Sequence, residues 1–433
     1  AGPGGYSAAF HAADQGYKVT LVDASLNLGG VCLHSGCIPS KALLHIVGLL
    51  AETKQVKDRG IDFDDPRIDL KRLNKWKDEI ISNFSGGLDL LCKQRGINYV
   101  TGRGVFVDSN TIKTSEGHSI RFDHCIIATG SRPVVPSQFS VSKAVIMDST
   151  EALKLTSIPK KLLIVGGGYI GLEMGTVYSG LGSRVTLVEI KDGLLPEVDR
   201  DLVRPLQNKL SSEFESIYLD TAVVSIRELG GLGYVTMASS KESKEEKFDR
   251  VLMSVGRRPN TDKIRLENTK VQLDSNGFVK VDFKGQTSDP AILAIGDISG
   301  EPMLAHKASY EARIAIDGLK GKKMTSSNTV IPAVVFTDPE IAWCGLTESE
   351  AKMKNLDFQV AKFPWRASGR AHTLGRTEGF TKLILQPDSK RVLGVGIVGY
   401  GAGELIAEGV LAINMGAKAD DLSHCIHPHP TLS

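Results

Sequence analysis

"KKLLIVGGGYIGLEMGTVYSGLGSRVTLVE", Lys160 to Glu189, decides the fold. The apolar run Leu162 to Val165 has the length and character of a buried strand. Gly166, Gly168 and Gly171 crowd the turn that follows, a helical pattern opens from it, and a second apolar run ends at Glu189. Strand, glycine turn, helix and strand make one βαβ unit of a parallel sheet. The glycines permit a tight turn and close approach of backbone to a pyrophosphate, which the free N–H groups and partial positive charge of a helix N-terminus attract. Glu189 can accept hydrogen bonds from the hydroxyls of an adenine ribose and would repel a 2′-phosphate. The expected nucleotide is NAD, not NADP. The competing reading is a glycine turn used only for helix–strand packing.

A second unit of this kind opens the chain. "AGPGGYSAAFHAADQGYKVTLVDA", Ala1 to Ala24, reads as a glycine turn, a helix from Tyr6 to Gln15, a stop at Gly16 and a strand from Lys18 to Val22. Gly2 and Gly5 take the second and third glycine positions, and Asp23 stands as far beyond Gly5 as Glu189 stands beyond Gly171. The strand and first glycine that should precede Gly2 are not in the sequence, so the chain reads as clipped inside a domain. Two dinucleotides on one chain are what electron transfer between cofactors requires, and a nicotinamide with a flavin is the economical pair.

At 433 residues the chain is too long for one core, and a prior of about 150 residues per domain gives roughly three. A net charge of +2 shows no basic excess to suggest nucleic acid and no acidic tail. No apolar run approaches the ~20 residues of a membrane span. Between the two βαβ units lie a charged helical stretch, Lys71 to Arg95, and short strands at Gly104 to Val107 and Ser119 to Phe122. The polar stretch Ser239 to Lys247 reads as a solvated loop. From about Asn328 alternating strand patterns and amphipathic helices suggest a last α+β domain.

"GGVCLHSGCIPSK", Gly29 to Lys41, pairs Cys32 with Cys37; the other four of the six cysteines are scattered. That usage is too sparse for a secreted disulfide framework and points to a reducing compartment. A zinc half-site would need further Cys or His ligands, and only His34 stands nearby. Two unrelated buried thiols are a second reading, and a redox disulfide is the one the local chemistry favours. Gly29, Gly30 and Gly36 give the backbone freedom to bring two Cβ atoms into disulfide range. Pro39 suits a first helical position, which puts Cys37 at a helix N-terminus where thiolate is favoured.

With its flanks this segment resembles the flavoprotein disulfide reductases, and among them the dihydrolipoamide dehydrogenases. The likeness runs end to end, through "AGPGGYSAA", "ATGSRP", "IVGGGYIGLEMG", "VGRRPNT", "AIGDISGEPMLAHKA", "FTDPEIAWCGLTESEA", "FPWRASGRA" and "HPHPTLS". It implies an α/β fold of two Rossmann-like dinucleotide-binding domains plus a C-terminal α+β dimerisation domain. The segments would be 1–150 for FAD, 151–275 for NAD, 276–328 returning to the FAD and central region, and 329–433 for the dimer interface. By the same resemblance Cys37 is the thiol nearest the flavin and Cys32 the interchange thiol. Asp297 would bind the ribityl chain, with Met303, Leu304, Ala305 and His306 covering the flavin. Gly30, Gly104, Thr129 and Gly130 would line the FAD site. Lys41 and Glu173 would be an ion pair beside the flavin ring, and Val223 and Gly256 would contact NAD.

In "HPHPTLS" the resemblance makes His429 the acid–base, reaching the cysteines of the other subunit across a homodimer. An imidazole near pH 7 can take a proton from a dihydrolipoyl thiol. The family's orienting glutamate would come one residue after Ser433, so this end also reads as clipped. The sequence departs from the family at His34-Ser35, where Asn-Val is usual. The implied activity is oxidation of protein-bound dihydrolipoyl groups by NAD through FAD, with no metal, in a 2-oxo acid dehydrogenase complex or the glycine cleavage system. Expected partners are a second copy and a lipoyl domain or lipoylated carrier, not nucleic acid or membrane. Segments such as "RASGRA" lean towards a bacterial cytoplasm, with a mitochondrial matrix as the other compartment. The competing functions are an NADH-driven reductase of another disulfide and a non-catalytic NAD-sensing or assembly subunit.

Overall fold

The computed structural model describes residues 1–139, 142–322 and 330–433. Helix α1 (Pro3–Asp14) starts three residues before the expected Tyr6, because Gly2 caps it and Pro3 takes the first helical position. Strand β1 (Thr20–Asp23) follows, then the short α2 (Gly30–Ser35) and the long α3 (Cys37–Gln55), interrupted at Gly36. Helix α4 (Leu70–Gln94) takes the charged stretch and is capped by Asp69, whose carboxylate accepts from the Lys71 and Arg72 amides. Strand β2 (Asn98–Thr101) pairs in parallel with β1, and β3 (Gly104–Asp108), β4 (Thr111–Thr114) and β5 (Ser119–Arg121) form an antiparallel meander.

The segment Gly30–Arg59 is long and apolar enough to cross a membrane by length and mean hydropathy, contrary to the expectation that no such stretch exists. Its surroundings give it a different role. Leu43 and Val47 are buried in the largest core cluster, and Lys41 is ion-paired with Glu173 on another helix.

Next come β6 (Cys125–Ile127), β7 (Ser131–Pro133) and β8 (Ile146–Met147), then α5 (Ser149–Leu153), opened by a capping box between Asp148 and Glu151. The decisive stretch folds as read: β9 (Lys161–Val165), α6 (Tyr169–Gly180) and β10 (Arg184–Val188). Helix α7 (Arg200–Glu213) and β11 (Ser216–Tyr218) continue the unit. An antiparallel sheet of β12 (Ala222–Leu229), β13 (Leu232–Ala238) and β14 (Ser243–Phe248) intervenes before β15 (Arg250–Met253). The second nucleotide sheet runs β11-β10-β9-β15-β8.

Strand β14 corrects the expected loop at Ser239 to Lys247. Lys244 and Glu246 bridge at 2.7 Å, and the Lys244 ammonium lies 3.5 Å from the centre of the Tyr218 ring. A half-buried face built from charged side chains carries no apolar signal in the sequence. Two boundaries also shift. Strand β8 belongs to the second nucleotide sheet although it precedes residue 151. After β15 the chain has already left that sheet, because β16 (Arg257–Pro259) pairs with β7 rather than extending it to 275. The 328/329 boundary lies outside the described residues.

Strand β17 (Ile292–Ala294) pairs in parallel with β6, and α8 (Ala305–Leu319) packs on α1. The C-terminal part is a five-stranded antiparallel sheet. It comprises β18 (Ala333–Val335), β19 (Glu340–Gly345), β20 (Gln359–Pro364), β21 (Phe380–Leu385) and β22 (Val392–Gly399), in the order β18-β19-β22-β21-β20. The short helix Glu348–Met353 follows β19, Gly369–Leu374 follows β20, and Ala402–Met415 and Ala419–His424 follow β22. Val335, Ile341 and Val398 from this sheet share a core cluster with α3, α6 and α7. A buried polar joint adds to that contact: the Lys382 ammonium lies 2.7, 2.9 and 3.0 Å from carboxylates of Asp199, Asp201 and Glu348. Lys382 is 1% exposed, and its charge occupies the centre of the acidic cluster where a cation would otherwise sit.

Candidate active site

Gly29 (φ 124°) and Gly30 (φ 60°) swing the chain from β1 into α2 through backbone conformations that disfavour other residues. A Cβ on Gly30 would stand 2.5 Å from the Cα of Gly2, so the redox segment and the first glycine turn touch through bare backbone. Gly36 caps α3, and Cys37 is its first residue; Pro39 is therefore third, not first as expected. His34 explains its own departure from the family pattern. Its Nε2 donates to the Leu28 carbonyl at 2.8 Å, and Ser85 of α4 donates to the same oxygen at 3.0 Å. That double clasp holds α2 against the turn preceding it.

All six cysteines are free thiols, and the Cys32 and Cys37 side chains are close enough for each to shift the pKa of the other. The Cys32 side chain most strongly lowers the Cys37 pKa, to about 7; the Lys41 ammonium helps, against opposition from burial and from Glu173. The Cys37 side chain, with burial, pushes Cys32 above the ordinary thiol range. The pair thus divides its protons unequally, Cys37 towards thiolate and Cys32 as thiol. The direction of the shift at Cys37 is the one expected, and the backbone amide at the start of α3 contributes to it beside the neighbouring thiol and Lys41.

Lys41, one turn along α3, donates to both oxygens of Glu173 on α6, at 2.8 and 3.0 Å. Glu173 is 4% exposed, and Glu173 also accepts from the Phe336 amide at 3.2 Å. The packing of α3 on α6 makes this meeting possible: a Cβ on Gly180 would come within 2.7 Å of Val47.

The two glycine turns have the form that two dinucleotides need. Gly168 caps α6 and Gly2 caps α1, each without a side-chain cap, leaving the first amides of both helices free to meet a phosphate. Gly166 has φ 108°, and a Cβ on Gly171 would stand 2.1 Å from the Gly166 carbonyl oxygen, so neither position tolerates a side chain. Glu189 follows β10 and accepts from the amides of Gly167 (2.6 Å) and Lys191 (2.8 Å), which holds its carboxylate at the rim of the turn. Asp23 closes β1 and accepts from the Ser25 amide at 2.7 Å. Gly5 lies within α1, and a Cβ there would reach Ala128 at 3.6 Å. Gly104 approaches the same strand end, with Val22 3.6 Å from where its Cβ would be.

Thr129 and Gly130 are tied to Asn260: the Thr129 hydroxyl donates to its carbonyl at 3.1 Å, and its amide donates to Gly130 at 2.9 Å. Asp297 follows β17 in a short 3-10 turn and accepts from Ser131 at 2.5 Å. Met303 and Leu304 lead into α8, which Ala305 opens, and the His306 ring is 2.7 Å from the Pro332 carbonyl. Val223 sits beside a bulge in β12, and Gly256 (φ 115°) turns the chain after β15. Sequence reasoning assigned no role to Ser131, Lys307 or Glu311. Glu311 accepts from the Gly296 amide at 2.7 Å and pairs with buried Lys307 at 2.8 Å, strapping the turn that presents Asp297. Ser131 lies in "ATGSRP" and Lys307 in "MLAHKA", but nothing in the spacing of either stretch reveals these contacts.

The C-terminal segment lies on the interface domain, with Leu432 packed against that domain's core. His427 takes a carboxylate partner that the sequence did not suggest, Glu408, at 2.8 Å. That hydrogen bond raises the His427 pKa. His429, the expected acid–base, makes no hydrogen bond among the described residues.

Residues 1–312 match the pyridine nucleotide-disulphide oxidoreductase family, and residues 331–433 match its dimerisation domain. The chain is 44% identical to a dihydrolipoyl dehydrogenase of Vibrio parahaemolyticus, over all of this chain and 91% of the relative. It is 40% identical to one from Geobacillus stearothermophilus, over all of this chain and 92% of that one. Among solved structures it resembles LpdA from Mycobacterium tuberculosis, with a TM-score of 0.92 and 26% identity across the whole chain and 95% of LpdA. The flavoprotein disulfide reductase RclA from Escherichia coli superposes with a TM-score of 0.88 at 26% identity, covering the whole chain and 96% of RclA. The chain belongs to the pyridine nucleotide-disulphide oxidoreductases, a family that binds FAD and NAD, and within it to the dihydrolipoyl dehydrogenases.

Proposed function

We propose that this chain, as a homodimer, oxidises protein-bound dihydrolipoyl groups to lipoyl and reduces NAD, with Cys32 and Cys37 as the redox pair. The observation that carries the reading is the placement of Cys32 and Cys37 where α2 meets α3, with the Lys41–Glu173 ion pair one turn along α3. His429 of a second copy accepts a proton from one substrate thiol. The resulting thiolate attacks Cys32 of the oxidised pair, breaking the Cys32–Cys37 bond. Cys37 leaves as thiolate, which its lowered pKa favours. The second substrate sulfur then attacks the mixed disulfide, closing the lipoyl ring and releasing Cys32, which takes up the proton. The substrate has lost two electrons and the cysteine pair has gained them.

FAD, bound along Gly2, Gly30 and Asp297, would supply the two-electron acceptor through which the pair returns to disulfide, with NAD as final acceptor. The Lys41 charge keeps Cys37 ionised, and Glu189 selects NAD by repelling a 2′-phosphate. The macromolecular substrate would be a lipoyl domain of a 2-oxo acid dehydrogenase complex or a lipoylated glycine cleavage carrier. A bacterial cytoplasm accords with the relatives. The test compares NAD reduction by dihydrolipoamide with NADH oxidation by glutathione disulfide, for the wild type and Cys32→Ser. The reading requires strong activity with dihydrolipoamide alone, abolished in Cys32→Ser while FAD stays bound. Equal or greater activity with glutathione disulfide, or normal turnover by Cys32→Ser, contradicts it.

A further inference from the structure

Asp297 is not free to turn. Its Oδ2 accepts from the Ser131 hydroxyl at 2.5 Å, and Ser131 is 4% exposed. The same hydroxyl oxygen lies 2.8 Å from Nε of Arg257, whose Nη2 is 2.9 Å from the Ser131 carbonyl. A guanidinium has donors only, so the Ser131 oxygen must accept from Arg257. The one hydroxyl proton is then directed at Asp297. Guanidinium, hydroxyl and carboxylate form a chain polarised in a single direction, which engages Oδ2 and leaves Oδ1 to accept from a ligand hydroxyl. The strands reinforce the arrangement: in the antiparallel pair β7–β16, Ser131 stands opposite Pro259 and Pro133 opposite Arg257.

We propose that Arg257 and Ser131 are positioning residues for the flavin, fixing the orientation of Asp297 so that its second oxygen can accept from a ribityl hydroxyl of FAD. This rests on the reading of Asp297 as a flavin ligand, and the test separates the two. Wild-type protein, Ser131→Ala, Ser131→Thr, Arg257→Lys and Asp297→Ala are stripped of flavin. Each is checked for folding by circular dichroism and titrated with FAD by quenching of flavin fluorescence. Ser131→Ala is expected to weaken FAD about tenfold, the scale of one hydrogen bond to a charged group. Ser131→Thr, which keeps the hydroxyl, should restore most of the affinity. Wild-type FAD affinity in Asp297→Ala would overturn the ligand reading itself. Weakened binding by Asp297→Ala alongside wild-type affinity in Ser131→Ala, or no rescue by threonine, would overturn the positioning role. If Ser131→Ala does not fold, Arg257→Lys carries the test, since lysine cannot span both acceptors: weaker FAD supports the proposal and unchanged affinity overturns it.

Discussion

Replacing Lys41 by methionine keeps the length of the side chain and removes its charge, so the Cys37 thiolate should lose its cationic neighbour. Cys37 and Lys41 are four residues apart on α3, which puts the two groups about 6 Å apart on one helix face. Unit charges at that distance interact by about 1.4–2.8 kcal/mol for an effective dielectric constant of about 20–40. That is about 1–2 pKa units. Lys41 is 33% exposed, so solvent screening favours the lower half of the range. Loss of the lysine also leaves the Glu173 carboxylate, 4% exposed, without its counter-ion, and Glu173 pushes the Cys37 pKa upward too. The Cys37 midpoint should move from about 7 to about 8.5. The assay is thiolate ultraviolet absorbance against pH in reduced, flavin-stripped protein, with Cys37→Ser as the blank. Cys125 and Cys344, pushed up to about 12 by burial, stay silent in this range. Glu173→Gln should move the midpoint down, since it removes an opposing charge. An unchanged midpoint in Lys41→Met, or an upward shift in Glu173→Gln, would refute the electrostatic reasoning.

Glu189→Arg removes the repulsion of a 2′-phosphate and should raise the NADP-to-NAD ratio of kcat/KM at least about tenfold; steady-state kinetics showing the ratio unchanged would contradict the ribose role. Gly171→Ala places a methyl 2.1 Å from the Gly166 carbonyl oxygen and should abolish tight NAD binding, as read by calorimetry, while the Cys37 titration stays as in the wild type. Lys382→Met removes the cation shared by Asp199, Asp201 and Glu348, leaves buried Asp199 without a counter-ion, and should destabilise the fold by about 3–5 kcal/mol, lowering the urea midpoint. Burial raises the pKa values of Asp199 and Asp201, but Lys382 with the Glu348 and Ser349 amides at Asp199, and Lys362 with Lys382 at Asp201, more than offset it, so both lie below the ordinary 3.8. Groups with depressed folded values stabilise above the unfolded pKa and lose that contribution as pH falls through the folded one. The wild type should therefore lose its advantage over Lys382→Met below about pH 4, and an advantage persisting at pH 2 would count against the pairing.

The glycine spacing made both nucleotide units legible, because Gly171 against Gly166 is a steric demand that no other residue meets. The cysteine pair was legible for a similar reason, since Gly29 and Gly30 need backbone conformations that mark a built turn. What stayed hidden depends on contacts between distant segments. Ser131, Arg257 and Asp297 come from three separate stretches of chain, and no local pattern announces a hydroxyl shared between them. Strand β14 was hidden because Lys244 and Glu246 take most of its inner face and only Phe248 at its end is apolar. The mutual influence of the two thiols was also hidden, because it depends on how α2 and α3 meet at Gly36, which the five-residue spacing alone does not specify.

The most direct measurement is anaerobic reduction of the FAD-loaded protein by dihydrolipoamide, followed by visible absorbance. Two electrons should produce the long-wavelength band of a thiolate donating into oxidised flavin, and Cys37→Ser should retain FAD yet lack the band. Direct bleaching of the flavin with no such band in the wild type, or a band that survives in Cys37→Ser, would contradict Cys37 as the thiolate that meets the flavin.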